Sequence, residues 1–170
     1  WLILARDGYR LDKLEDELKI YGYFYERGDR TSINKRVHEA ILAWEDVRRG
    51  KEIDIKRVKY FYNYVKTGKG VVDKDKTFTF DTLTSDYGLK LDKELPWFKA
   101  LENIEPQKKT YVRMCLRRKE NIRRAPRIKL STIHGSKGGE ADNVMLLTDL
   151  TRKADASYWS QRDEERRVFY

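Results

Sequence analysis

The sequence predicts an α/β fold interrupted by a mainly helical insertion, and three observations carry that expectation. Trp1-Leu-Ile-Leu-Ala5 is a buried-strand run followed by a polar turn and a helical repeat, a strand–loop–helix unit. Residues 128 to 147 hold two short apolar runs around a compact, glycine-rich polar segment. Between Thr31 and Ala125 the apolar residues recur at three- and four-residue spacing, so this stretch reads as an insertion between strands of the α/β unit.

Taken in order, Arg6-Asp-Gly-Tyr-Arg10 reads as a polar turn, and Leu11, Leu14, Leu18 and Tyr21 as one helical stripe that Gly22 ends. Thr31 or Ser32 can cap a helix whose inward face is Ile33, Val37, Ile41, Trp44 and Val47, stopped by Gly50. His38 lies on or near that stripe and is expected on the helix surface rather than as a ligand. A second helix is expected from Asp54 through Lys66, with Ile55, Val58, Phe61, Tyr62 and Val65 inward. Residues 67 to 95 are the least regular, with a loop or small hairpin around Thr77-Phe-Thr-Phe80. Pro96 suits the first turn of a short helix carrying Trp97, Phe98 and Leu101, and Pro106 the start of a basic helix. The aromatic clusters Tyr60-Phe-Tyr62 with Tyr64, and Tyr21 to Tyr25, are expected in the core rather than as platforms for bases.

Composition limits the class. At 170 residues the chain can bury one moderate core, or a core plus a small satellite. A charged fraction of 38% and a mean hydropathy of −0.83 argue for a soluble protein, and no apolar run approaches the roughly 18 residues of a membrane span. No secretory leader pattern is present. Cys115 is the lone cysteine, which leaves no intrachain disulfide or cysteine zinc site, suits a reducing, cytoplasmic setting, and reads as a buried small side chain between Met114 and Leu116. The net charge of +9 is concentrated: Pro106 to Lys129 carries ten Lys and Arg against Glu120 alone, which is the whole excess. Such a segment suits a phosphate backbone and makes binding depend on salt.

The chemistry lies in Thr132-Ile-His-Gly-Ser-Lys-Gly-Gly-Glu140. Ile128, Leu130 and Thr132 alternate with Lys129 and Ser131 as a strand should, and Val144-Met-Leu-Leu147 is short enough for a buried strand. Gly135, Gly138 and Gly139 allow backbone turns that let peptide N–H groups approach an anion. Lys137 adds a mobile positive charge, Thr132 and Ser136 hydroxyls, and His134 a ring that donates and accepts. Glu140 can accept hydrogen bonds from two vicinal ribose hydroxyls. A Walker A loop is excluded, because Lys137 is followed by Gly138 where Ser or Thr is required.

This segment resembles motif V of the superfamily 1 DNA helicases of the UvrD/Rep/PcrA family, roughly T-x-H-x-x-K-G-x-E before an apolar strand, with all five fixed positions matched. Asp163-Glu-Glu-Arg-Arg-Val-Phe-Tyr170 resembles the opening of motif VI. Ala5-Arg6-Asp7-Gly8 with Leu14-Glu15-Asp16-Glu17-Leu18 is similar to motif IVa, except that Gly8 replaces the usual Asn that approaches DNA.

The resemblance implies a RecA-like domain of the P-loop-NTPase type with a mostly parallel sheet. It would be built from residues 1–30 and 126–170 and interrupted by a helical accessory insertion at 31–125. It further implies the second motor domain of an ATP-dependent DNA helicase, with single-stranded DNA, ATP and an N-terminal RecA-like domain as partners and no membrane. Glu140 would meet the ribose and Gly138 lie beside the nucleotide cleft, with Lys137 supporting either ligand. Thr132 and His134 would hold the DNA backbone near Arg6, with Arg117 and Arg118 of the basic stretch contributing. ATP and Mg2+ are the implied cofactors, and no protein metal site is expected. The sequence shows no Walker A, no Walker B in context and no motif VI arginine, so this chain alone is expected to be catalytically inactive. A rival expectation is a non-enzymatic, basic nucleic-acid-binding module.

Overall fold

The computed structural model describes residues 1–66 and 77–148. β1 (Leu2–Ala5) opens the chain, and Asp7 then accepts a hydrogen bond from the Arg10 backbone N–H at 3.0 Å to cap α1 (Gly8–Ile20). The polar turn expected through Arg10 is therefore only two residues long. The cap satisfies an otherwise orphaned donor and draws Gly8 to Arg10 into the first helical turn. Leu11 and Leu18 are buried and Leu14 half-buried, but Tyr21 is 57% exposed, because as the C-cap it lies past the end of the helical stripe.

β2 (Tyr25–Arg27) and β3 (Arg30–Thr31) form a hairpin around Gly28. The sheet thereby takes Thr31 from the capping role, and Asn34 caps α2 (Lys35–Val47) by accepting from the Arg36 N–H at 2.9 Å. The expected stripe from Ile33 to Val47 is buried throughout. His38 departs from its expected surface position: it is half-buried, its Nε2 lies 2.5 Å from the Ile122 carbonyl oxygen, and its ring meets Phe24 edge-on.

β4 (Ile53–Asp54) leads into α3 (Ile55–Tyr62), capped by Asp54, which ends before the expected Lys66 although Val65 is still buried. β5 (Thr77–Phe78) pairs antiparallel with β4, a non-local ribbon in place of the expected local hairpin. α4 (Phe80–Ser85), α5 (Trp97–Ala100) behind Pro96, and α6 (Pro106–Arg117) with Pro106 in its first turn follow. β6 (Ile128–Thr132) and β7 (Val144–Leu147) return to the main sheet.

The main sheet has the order β3-β2-β6-β1-β7, parallel except for β3. The protein is thus mixed α/β with a mostly parallel central sheet and several helices, the expected class. β7 corrects one expectation: among the described residues it is an edge strand that pairs with β1 alone, and Val144 is 56% and Met145 46% exposed.

Two hydrophobic clusters form. One, under α1, comprises Ile3, Ala5, Leu11, Leu18, Tyr25 and Leu130. The larger is helical and centres on Trp44, which meets Phe61 and Phe80 edge-on and donates its indole N–H to the Leu95 carbonyl at 3.0 Å. Phe24, Tyr25 and Phe61 are buried and Tyr60, Tyr62 and Tyr64 pack against the large cluster, so these aromatics build cores as expected. Cys115 is fully buried, and burial pushes its thiol up to about 11.

Tyr62 carries a weakness. Its hydroxyl is buried without a hydrogen-bond partner among the described residues, and burial pushes its pKa up to about 12. Leaving a buried hydroxyl unpaired costs about 1–3 kcal/mol. Tyr62→Phe is therefore expected to hold or raise the urea midpoint, and a loss above about 1 kcal/mol would reveal a partner for the hydroxyl.

Candidate nucleotide and nucleic-acid site

The carboxyl ends of the parallel strands gather at one edge of the sheet. The register sets Ala5 beside Thr132 on one side and Leu147 on the other, so the segments leaving β1, β6 and β7 start level with one another. Open α/β sheets bind ligands outside this edge. Arg6 leaves β1 here, half-buried.

The glycine bend that leaves β6 is built by its own hydrogen bonds. The Ile133 N–H donates to the Ala5 carbonyl at 3.0 Å, fastening the bend to the neighbouring strand. Thr132 then accepts three times: its hydroxyl takes the Gly135 N–H at 3.0 Å, and its carbonyl the Ser136 N–H at 3.0 Å and the Ser131 hydroxyl at 3.1 Å. The Ser136 hydroxyl donates back to the Ile133 carbonyl at 3.0 Å, and the Gly139 N–H to the Ser136 carbonyl at 2.8 Å. Thr132 and Ser136 therefore shape the turn before touching any ligand.

The glycines have separate causes. Gly138 has φ +78°, the left-handed region that side chains disfavour. A Cβ at Gly135 would lie 3.0 Å from the Ser131 hydroxyl oxygen and 3.1 Å from that of Thr132, so room is the constraint there. What the bend displays is His134, Lys137 and Glu140, all exposed and none paired with a described side chain. A cation, an imidazole and a carboxylate on one short loop can meet a phosphate and a sugar together.

A profile of the UvrD-like helicase C-terminal domain matches residues 31–170. The chain belongs to the UvrD-like helicase C-terminal domain family. No curated protein and no solved structure matches it. The UvrD-like match begins after β1, yet β1 lies between β6 and β7, so the sheet of the matched region is completed by residues that precede it. The motif VI resemblance at Asp163 to Tyr170 lies outside the described residues.

The structure brings Arg6, Thr132, His134, Lys137, Gly138 and Glu140 to one edge of the UvrD-like sheet and sets Arg117 and Arg118 at the other. The Arg118 Nε donates to the Tyr21 carbonyl, and its guanidinium lies 4.1 Å over the Tyr23 ring, just before β2 begins. The N-terminal ammonium likewise donates to the Arg127 carbonyl at 2.7 Å, at the start of β1. The basic stretch thus meets the sheet at the amino ends of its strands, about 13 Å from the bend by strand rise. Closeness in sequence suggested one surface; strand direction separates them.

Much of that basic stretch is also occupied. Lys108 pairs with Glu105 at 2.8 Å, Arg123 with Asp46 at 2.9 Å, Arg127 with Glu120 at 3.1 Å and Lys129 with Glu26 at 2.9 Å. Arg113 lies 4.6 Å over the Phe98 ring. Arg117 remains exposed and unpaired among the described residues.

Sequence reasoning missed Arg27. Its guanidinium donates to the Gly8 carbonyl at 3.1 Å and pairs with Asp12 at 2.5 Å and Glu15 at 2.7 Å. A Cβ at Gly8 would come within 3.3 Å of it, so this arginine fills the space beside the position where the family pattern has Asn. The only sequence signal was Gly8 itself, a residue too small for its motif.

Proposed function

We propose that this chain is the second motor domain of an ATP-dependent DNA helicase, with residues 1–30 and 126–170 as the RecA-like part and 31–125 as an accessory insertion. It would contribute half of the ATP cleft and part of a single-stranded DNA track, in the cytoplasm. The exposed glycine bend at the carboxyl edge of a parallel sheet is the observation that carries this reading, and family membership supports it. The two separate hydrophobic clusters support the division into parts.

On this reading the Glu140 carboxylate accepts from the ribose hydroxyls, and Gly138 lets the backbone come close to the nucleotide. Lys137 neutralises phosphate of either ligand. Thr132 and His134 hold the DNA backbone, with Arg6 beside them. The donor set fits a sugar and a phosphate, whereas the described residues include no cluster of three or more acidic, His or Cys side chains for Mg2+. The metal carboxylate and the phosphate cradle are assigned to the N-terminal RecA-like domain, which supplies the charge neutralisation that phosphoryl transfer requires. Alone, the chain would not hydrolyse ATP. A purely basic binding module is less favoured, because most of the cations that suggested it are engaged within the protein.

The test is fluorescence anisotropy with a labelled oligothymidylate. Binding should be weak and fall with salt at a log–log slope of about −2, corresponding to about three phosphates. His134→Ala and Lys137→Ala should each weaken it several-fold, and Arg117→Glu, at the opposite edge, by less. Affinity indifferent to salt, or sensitive to Arg117→Glu and not to His134→Ala, would defeat the assignment.

A further inference from the structure

A groove of about 540 Å³ opens between α2, α5 and the end of α6, and none of the bend's residues line it. It is within the roughly 300–1,000 Å³ typical of ligand-sized clefts. Its floor is apolar, with Ile41, Leu42, Trp97, Phe98 and Leu116, and Leu116 is 40% exposed. Arg48, Arg49, Lys119 and Arg123 stand at its margins.

The groove's own acids neutralise only part of that rim. Glu45 and Glu120 are buried and already occupied: Glu45 takes Arg48 at 2.8 Å and Arg49 at 3.0 Å, and Glu120 takes Arg127 at 3.1 Å. Asp46, also buried, is shared by Lys51, Arg57 and Arg123. Four cations therefore line the groove against Glu45 and Glu120, and Lys119 pairs with no described acid. Outward charge remains at Lys119, which is exposed.

We propose that this groove docks a short acidic peptide segment of a partner protein. One aliphatic or aromatic side chain would seat against Leu116, and flanking carboxylates would meet the surplus cations of the rim. A nucleic-acid strand would value the same charge but not the floor. Base binding without sequence preference relies on accessible aromatic faces. Trp97 is only 5% exposed, and Phe98 carries the Arg113 guanidinium at 4.6 Å and meets Trp97 edge-on at 5.8 Å. The exposed apolar surface that remains is aliphatic, which suits an apolar side chain better than a base. This inference does not depend on the motor reading.

The experiment titrates the intact chain into a fluorescein-labelled peptide of glutamates around a central Leu-Phe pair. Saturable binding in the micromolar range is expected. Leu116→Glu, Lys119→Glu, and a peptide with Ser-Ser in place of Leu-Phe should each weaken it about tenfold, which is about 1.4 kcal/mol. Lys119→Glu repeats the test without touching the apolar floor, and an unchanged thermal midpoint shows that each variant folds. Unlabelled oligothymidylate should not displace the peptide. No saturation at millimolar protein, equal binding of the Ser-Ser peptide, or displacement by oligothymidylate would each overturn the proposal; the last would make the groove a nucleic-acid surface.

Discussion

Gly22→Ala is expected to cost about 2–5 kcal/mol of folding stability, combining left-handed strain of about 1–2 kcal/mol with overpacking of about 1–3 kcal/mol. The geometry supplies both terms. Gly22 ends α1 at φ +69°, where the Tyr23 N–H donates to the Leu18 carbonyl at 2.9 Å and the Gly22 N–H to the Lys19 carbonyl at 3.1 Å. That pair of bonds satisfies the last helical carbonyls only if the residue between them is left-handed. A Cβ there would lie 2.7 Å from the Met114 Cβ and 2.9 Å from the Met114 carbonyl carbon, so α6 rests directly on the glycine. Gly28 provides the comparison, with φ +57° and nothing within 4 Å of an added Cβ. Gly28→Ala should show the backbone cost alone, about 1–2 kcal/mol. Urea denaturation of the two variants separates the terms; equal losses would mean that α6 does not press on Gly22.

Asp46→Asn should be comparably damaging, at about 3 kcal/mol, the lower end for breaking a buried ion pair because its partners are partly exposed. Asp46 is 4% exposed and draws three segments together. It pairs with Arg57 of α3 at 2.7 Å, with Arg123 of the linker before β6 at 2.9 Å, and with Lys51 beyond α2 at 3.3 Å. Burial alone would raise its pKa, but the hydrogen bonds and charges of Arg123, Arg57 and Lys51 outweigh that and hold it at about 2, against 3.8 for a free carboxyl. A folded pKa below the unfolded value gives stability that is present above about pH 4 and is lost as pH falls through about 2, worth about 2 kcal/mol. The gap between wild type and Asp46→Asn should therefore be full at pH 7 and narrow toward pH 2. A gap that does not change with pH would mean that the carboxylate charge is not what stabilises this junction.

The helical insertion was legible where one physical pattern dominated. Ile33, Val37, Ile41, Trp44 and Val47 could be read as a buried face because three- and four-residue spacing puts them on one side of a helix, whatever they pack against. Pro106 marked the start of α6 because a helix's first turn needs no N–H from it. The cap at Asn34 was not legible, since Thr31 and Ser32 have equal capping chemistry, and only the sheet's recruitment of Thr31 into β3 decided the choice. The β4–β5 ribbon was missed for a similar reason. Its strands are two residues each and far apart in the chain, so neither carries a period of its own.

The candidate site divides in the same way. The residues of the bend stood out as candidates because glycines, a lysine, a histidine and a carboxylate at that spacing resemble motif V of the family. Arg27 did not, because an arginine in a short strand has no meaning until α1 folds back and brings Asp12 and Glu15 to it.

What the sequence determined by itself was local: where the main helices and β1, β6 and β7 form, which helix faces are apolar, and which short loop is the candidate site. These depend on neighbours a few residues away. What only the tertiary structure decided was direction and adjacency: that β1 lies between β6 and β7, that β7 is an edge among the described strands, and that the basic helix ends at the amino edge of the sheet while the glycine bend leaves the carboxyl edge. Charge count and sequence distance cannot distinguish those edges, because they are set by strand register and by the packing of α1 and α6 around Gly22.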